Sequence, residues 1–277
     1  MDGFVLILIT FVAAVVNGAL GYGFSSITVP IALLFYTNRV LNPALVLVEI
    51  VINAYVLFIN RNSIRSVIWR VAPIVAGLVI GVAIGSYLLS LVHPAWVKFV
   101  TYFFLLPLIL LQAAGIRKPI RAEKAIAVPF GVGLGTLYSI TTISGPPLAL
   151  LFNNQGYPKQ DFRAALGIIR LAESSFTAIA YVFIGFYNAE AMELIPLIAP
   201  SVLLGIPLGT FIIRLIDPET FRRICMAFDG VIVGFGLSRV LGELQLASAF
   251  TTYTILSIVI AINGYLLLRF FRNRTVP

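Results

Sequence analysis

Charge is scarce in this chain: Asp, Glu, Lys and Arg together make up 11% of it, against roughly a quarter in an ordinary soluble domain. A water-facing surface cannot be built from so little, which excludes a soluble enzyme. Cysteine and histidine occur once each, as Cys225 and His93. An internal disulfide needs two thiols and a zinc site three or four ligands, so no disulfide, metal or other cofactor is expected. Acidic residues number 11 against 19 basic ones, a net charge of +8. That excess does not form a basic domain or tail. Its Lys and Arg sit in short links between apolar runs, as in a membrane topology signal, and nucleic acid is not an expected partner. The N-terminal apolar run carries Asp2 and no basic residue before it, so it reads as a retained membrane segment and not a cleaved signal.

What is abundant is apolar. Hydrophobic residues make up 60% of the 277, with 21 Phe, 22 Gly and a mean hydropathy of +1.03. The solvent of such a chain is mostly lipid. Apolar runs of helical length fall at 3–20, 44–59, 67–91, 97–115, 126–142, 165–187, 193–213, 221–241 and 246–268, each near the ~20 residues that span a bilayer. Two more, Ile27 to Tyr36 and Pro147 to Phe152, are too short. Each follows a small polar stretch, 21–26 (GYGFSS) or 139–146 (SITTISGP), and reads as the second part of a broken helix.

The chain repeats itself. Residues 29–35 (VPIALLF) match 146–152 (PPLALLF) at an offset of 117, while Gly81, Gly85, Pro94 and Glu49 match Gly205, Gly209, Pro218 and Glu173 at an offset of 124. The difference fits an insertion near 153–163. The basic residues then decide how the halves are related. If each long-plus-short unit returns to the side it entered, Arg61, Arg65, Arg70, the 117–124 link, Lys159, Arg163, Arg214, Arg222, Arg223 and the C-terminal arginines share one side, 15 against 3. If each unit crosses once, the division is 8 against 10, no bias at all. The positive-inside rule favours the first. The expected fold is an all-α polytopic membrane protein of two inverted-topology repeats, each beginning with a broken, short-helix hairpin, plus one extra C-terminal helix. Its parts are a first repeat at 1–115, a basic cytoplasmic linker at 116–125, a second repeat at 126–243, and the last helix and tail at 244–277. The N-terminus lies outside and the C-terminus in the cytoplasm. Secondary transporters place a midplane site between such halves.

At these residues the sequence resembles the TauE/SafE family, also called the toluene sulfonate uptake permease family. The resemblance rests on 17–24 (NGALGYGF) through Val29-Pro30, on 131–135 (GVGLG) through 144–147 (SGPP), and on Gly156-Tyr157-Pro158 with Asp161-Phe162-Arg163. It covers nearly the whole chain. It implies a bacterial inner-membrane protein that moves small sulfur-containing anions such as sulfite or organosulfonates. The second half departs from the family's Gly-Gly pairs, having 136–138 (TLY) and Thr141-Thr142 after the glycines.

The candidate substrate-binding residues line the two breaks: Tyr22, Gly23, Ser25, Ser26 and Thr28 in the first, and Tyr138, Ser139, Thr141, Thr142, Ser144 and Gly145 in the second. Hydroxyls donate to an anion, glycines let the backbone approach it, and a helix N-terminus carries partial positive charge and free N–H groups. The competing reading is that these Ser and Thr only cap helix ends in lipid. Pro146 and Pro147 lack an N–H and weaken the second site. Arg170 and Glu173 lie three apart in an apolar run, on nearly one helical face. A charge mid-membrane costs ~2.5–3.5 kcal/mol on insertion scales and usually faces a partner or cavity. Arg170 either attracts the anion or forms a self-neutralising pair with Glu173. Glu49 and Glu173 are the candidates for carrying a coupling proton, and Glu49 could instead bind Arg170 across the repeat interface or sit near headgroups. Asp229 is a candidate partner for Arg170 or a cytoplasmic arginine. The Gly77, Gly81, Gly85, Gly205 and Gly209 stripes read as close helix packing, and Trp69 and Trp96 as interfacial anchors. A membrane-embedded enzyme would need a nucleophile with its base, metal ligands or an acid pair, and only Glu49 with Glu173 or Asp229 offers the last. A channel is the nearer rival to a transporter.

Overall fold

The computed structural model describes residues 2–115, 123–154, 159–212, 215 and 218–274, and among these it is helical, with no strand. Eleven α-helices follow one another: α1 (Asp2–Leu20), α2 (Phe24–Ala32), α3 (Asn38–Ile59), α4 (Ile64–Leu91), α5 (Pro94–Ala114), α6 (Glu123–Thr141), α7 (Gly145–Asn154), α8 (Lys159–Ile184), α9 (Ala189–Ile212), α10 (Pro218–Glu243) and α11 (Ala249–Arg274). Eight are long and apolar enough to cross a membrane, and Ile126–Thr141 of α6 is a shorter apolar stretch. The two short runs are α2 and α7, nine and ten residues long. At ~1.5 Å per residue each reaches about half-way through a ~30 Å hydrocarbon layer. The residues Arg117, Lys118 and Arg121 of the basic linker, Arg214, and the Gly156-Tyr157-Pro158 stretch lie outside the described residues.

Both breaks have a backbone cause. Gly21 and Gly23 adopt φ of +84° and +109°, left-handed values that stop α1 and restart the chain as α2. In the second break Thr142 takes φ +57°, which costs an ordinary residue of order 1–3 kcal/mol and persists only where the surroundings enforce it. Its N–H still bonds to Tyr138 O at 2.5 Å, and Ser144 then opens α7 by accepting from Leu148 N at 3.1 Å through its carbonyl.

Packing exchanges the halves. α1 lies along α9 and α6 along α4, each pair parallel. Gly3 meets Leu197, Ser201 donates to Ile7 O, and Gly209 meets Val15; in the other pair Gly131 meets Ile74 and Gly85 meets Thr136 and Ser139. α3 runs antiparallel to α8, with Leu57 against Gly167 and Glu49 against Arg170, and α5 antiparallel to α10, with Tyr102 against Gly236 and Ala113 against Arg223. α2 packs on α10 and α7 on α5. Helix directions follow from these pairings. The C-terminal ends of α1 and α3 meet the N-terminal end of α8, through Arg163 on Ala19 O and a cavity shared by Asn60 and Arg163. The C-terminal ends of α6 and α8 meet the N-terminal end of α3, through Asn42 on Ile140 O and Tyr181 on Ser139 O. α1 and α3 therefore run one way, α6 and α8 the other, and each short helix carries the chain back between them. α11 lies outside α10, meeting it at Gly230–Asn263 and Gly234–Val259.

The glycine stripes are packing devices. A Cβ on Gly81 would lie 2.1 Å from Val132 O, one on Gly205 2.6 Å from the Ala14 Cβ, and one on Gly209 1.9 Å from Val15 O. Outward faces are apolar: Phe4, Phe183 and Phe250 are exposed, as is Trp69, with Trp96 partly so.

Candidate functional site

The N-terminal ends of the two short helices meet inside the bundle. A Cβ on Gly145 would stand 3.4 Å from the Tyr22 ring and 3.7 Å from Gly23 N. Around this junction α3 and α8 each contribute a fully buried glutamate. Glu49 Oε1 accepts from Ser25 Oγ at 2.6 Å and from Arg170 Nη2 at 2.8 Å, and its Oε2 accepts from the Tyr138 hydroxyl at 2.7 Å. Glu173 Oε2 accepts from Ser144 Oγ at 2.5 Å. Each short helix thus presents a serine from its N-terminal end, Ser25 from α2 and Ser144 from α7, to the glutamate of its own half. The chain's own carboxylates stand where an anion was expected, against the positive ends of α2 and α7.

Arg170 pairs with Glu49 from the other half and not with Glu173 three residues on, because α8 lays Arg170 across α3 at that level. The pair is buried, with side chains 3% and 0% exposed. Glu49 makes the bond to Arg170 across the interface and is fully buried. Asp229 pairs with no arginine: both its oxygens are buried without a partner among the described residues. It lies on α10 in the turn after Cys225 and Met226, which belong to the core packed around α1, α2 and α5, away from α8.

Among the other candidates, local bonding dominates. Ser26 donates to Gly23 O, Ser139 to Gly135 O, Thr141 to Leu137 O and Thr142 to Thr141 O, while Ile143 N donates to Thr141 Oγ1. These are the capping and back-bonding roles of the competing reading. Thr28 is buried and its hydroxyl has no partner among the described residues. Tyr22 is buried beside Gly145.

The junction also holds asparagines that sequence reasoning missed. Asn17 Oδ1 lies 3.5 Å from Arg170 Nη1, leaving its buried Nδ2 without a partner among the described residues. Arg170 Nε, Asn53 Nδ2, Glu173 Oε1 and Thr177 Oγ1 are in the same condition. Buried polar atoms are normally bonded to protein or water, so the unused donors of Arg170 and of Asn17 beside it make a place for polar ligand atoms. Asn53 is one turn beyond Glu49 and Thr177 one turn beyond Glu173, again 124 apart, and that register was the signal for them.

A family model described as Sulfite exporter TauE/SafE matches residues 6–237. No curated protein and no solved structure matches the chain. With eight helices able to cross a membrane and a match over most of its length, the chain is a multi-pass membrane protein that belongs to the TauE/SafE sulfite exporter family.

Proposed function

We propose that this protein is a secondary transporter that exports small sulfur-containing anions, sulfite or organosulfonates, through a site at the junction of α2 and α7. The observation that carries the reading is Arg170, buried between the two halves, whose Nε has no partner among the described residues, as is the case for Nδ2 of the adjacent Asn17 and of Asn53, one turn beyond Glu49 on α3. An oxyanion accepts from a guanidinium and from amide N–H groups. Glu49 acts as the resident counter-anion. Substrate arriving at Arg170 displaces Glu49 from the guanidinium, and Glu49 returns when it leaves, so the empty site never holds an uncompensated buried charge. An interior-negative potential favours anion exit by about 2.3 kcal/mol per charge per 100 mV, enough to drive export without a coupling ion.

The transporter is built from two inverted repeats with the N-terminus outside. The opposite directions of α1 and α3 against α6 and α8, and the exchange of partners between α1–α9 and α6–α4, support that reading. Single cysteines in a Cys225-free background test it. A cysteine at Asn62 is expected to resist an impermeant thiol reagent applied outside, and one at Gln245 to react. The reverse pattern would place the basic face outside and end the topology.

A second reading is favoured by Glu173, whose Oε1 is buried and unpartnered. A proton there would neutralise it, and import of an anion against the potential needs such a cation. Flux of sulfite and sulfoacetate in liposomes, with imposed potential or pH gradient, decides. Potential-driven, saturable efflux that survives Glu173→Gln is the expected result. Strictly proton-driven uptake lost in that variant would make the protein an importer, and non-saturating conductance would make it a channel.

A further inference from the structure

Where α3 ends and α8 begins, a cavity of about 380 Å³ is lined by Ile59, Asn60, Asn62, Ser63, Gln160 and Arg163. One guanidinium, three amides and a hydroxyl line it, and among the described residues no carboxylate does. The polar cavity at the opposite end, about 250 Å³, differs in this respect: its Lys98 and Arg239 share the lining with Glu243. Among the described residues the first cavity therefore has no internal counter-ion. The nearest acid on α8, Asp161, is turned to Ser66, accepting its hydroxyl at 3.1 Å. Two helix N-terminal ends, at Ser63 before α4 and at Gln160 in the first turn of α8, add positive potential and are set against the one C-terminal end, that of α3 at Ile59 and Asn60.

Arg163 links this cavity to the site above. It lies seven residues before Arg170 on α8, two turns along nearly the same face and about 10 Å away along the axis. Its Nη2 donates to Ala19 O at 3.2 Å, at the end of α1, and a Cβ on Gly21 would be 3.7 Å from its Nε. The arginine thus spans from the cavity to the glycine break that leads into α2.

We propose that this cavity is a loading site for the transported anion, a sulfur oxyanion held by Arg163 and the surrounding amides before it passes to Arg170. The proposal rests on the anion-transport reading, and its test has a readout independent of flux. A cysteine at Asn62 in a Cys225-free background is reacted in detergent with methanethiosulfonate reagents carrying a sulfonate or an ammonium group. The sulfonate reagent is expected to react about tenfold faster relative to the ammonium one than with a free thiol, and Arg163→Gln to remove most of that preference while Arg163→Lys retains it. Methanesulfonate is expected to slow the labelling where sodium chloride of equal ionic strength does not. In liposomes Arg163→Gln is expected to raise KM for sulfite about tenfold with the maximal rate within about twofold. An unchanged reagent preference in Arg163→Gln, or no protection by methanesulfonate, would overturn the loading site even if wild-type sulfite flux is intact. Protection without any flux would uphold the cavity and overturn the transport reading instead.

Discussion

Glu49→Gln is expected to destabilise the protein by about 3–5 kcal/mol and to abolish anion flux. Removing one partner of a buried ion pair leaves the other charge uncompensated, which costs far more than the pair contributes when intact. Arg170 is 2% exposed, and its contact with Asn17 Oδ1 is long at 3.5 Å. Glu49 also gathers the Ser25 and Tyr138 hydroxyls, so the change disturbs three donors at once. The double variant Glu49→Gln/Arg170→Gln should recover most of the lost stability, because two neutral amides replace two charges, yet remain inactive for lack of the cation. Thermal unfolding in detergent together with liposome flux separates the outcomes. Equal instability of the single and double variants would mean that the charge pair is not what the bundle depends on here, and flux in the double variant would remove Arg170 from the site.

Gly81→Ala and Gly209→Ala are each expected to cost about 3 kcal/mol, the upper end of ordinary overpacking. The added methyl would fall 2.1 Å from Val132 O in one seam and 1.9 Å from Val15 O in the other. These are backbone atoms, which cannot swing aside as a side-chain tip does, so the helices themselves must part. Gly133→Ala and Gly264→Ala are the controls, since nothing lies within 4 Å of a Cβ at either place. There the better helix propensity of alanine should leave stability equal or slightly raised. Denaturant midpoints for the four variants check the contrast, and four equal values would contradict close packing as the reason for the stripes.

Much of the fold was legible because lipid imposes length and apolarity directly on the sequence. Each long run read at 3–20 through 246–268 coincides over most of its length with one helix, and the two short ones overlap α2 and α7. Boundaries moved mainly at N-terminal ends, where polar residues begin a helix that hydrophobicity alone starts later. α3 opens at Asn38 and not near 44, and α8 at Lys159 and not near 165. The site was legible in part. Glu49, Arg170 and Glu173 are conspicuous because charge inside an apolar run is costly, but which carboxylate met the arginine depended on how α3 crosses α8, which no spacing along either helix encodes. The hydroxyls of the breaks were equally visible, yet Thr141 and Thr142 bond locally while Ser25 and Ser144 reach the glutamates, a difference set by the turn geometry at Gly23 and Thr142. Asn17 and Asn53 escaped notice because an uncharged amide in a membrane helix draws attention only once its neighbours are known.

The parallel seams have a consequence for biosynthesis. α1 nests against α9, whose last residue is Ile212, so the first helix leaves the ribosome well before the surface made to receive it. At ~5–20 residues per second that delay is roughly 10–40 s. During the interval Gly18, which finally rests against Ile206, and the buried amide of Asn17 face lipid or a chaperone. The first half on its own cannot assemble the junction, and a nascent chain arrested before α9 should be a substrate for quality-control proteases.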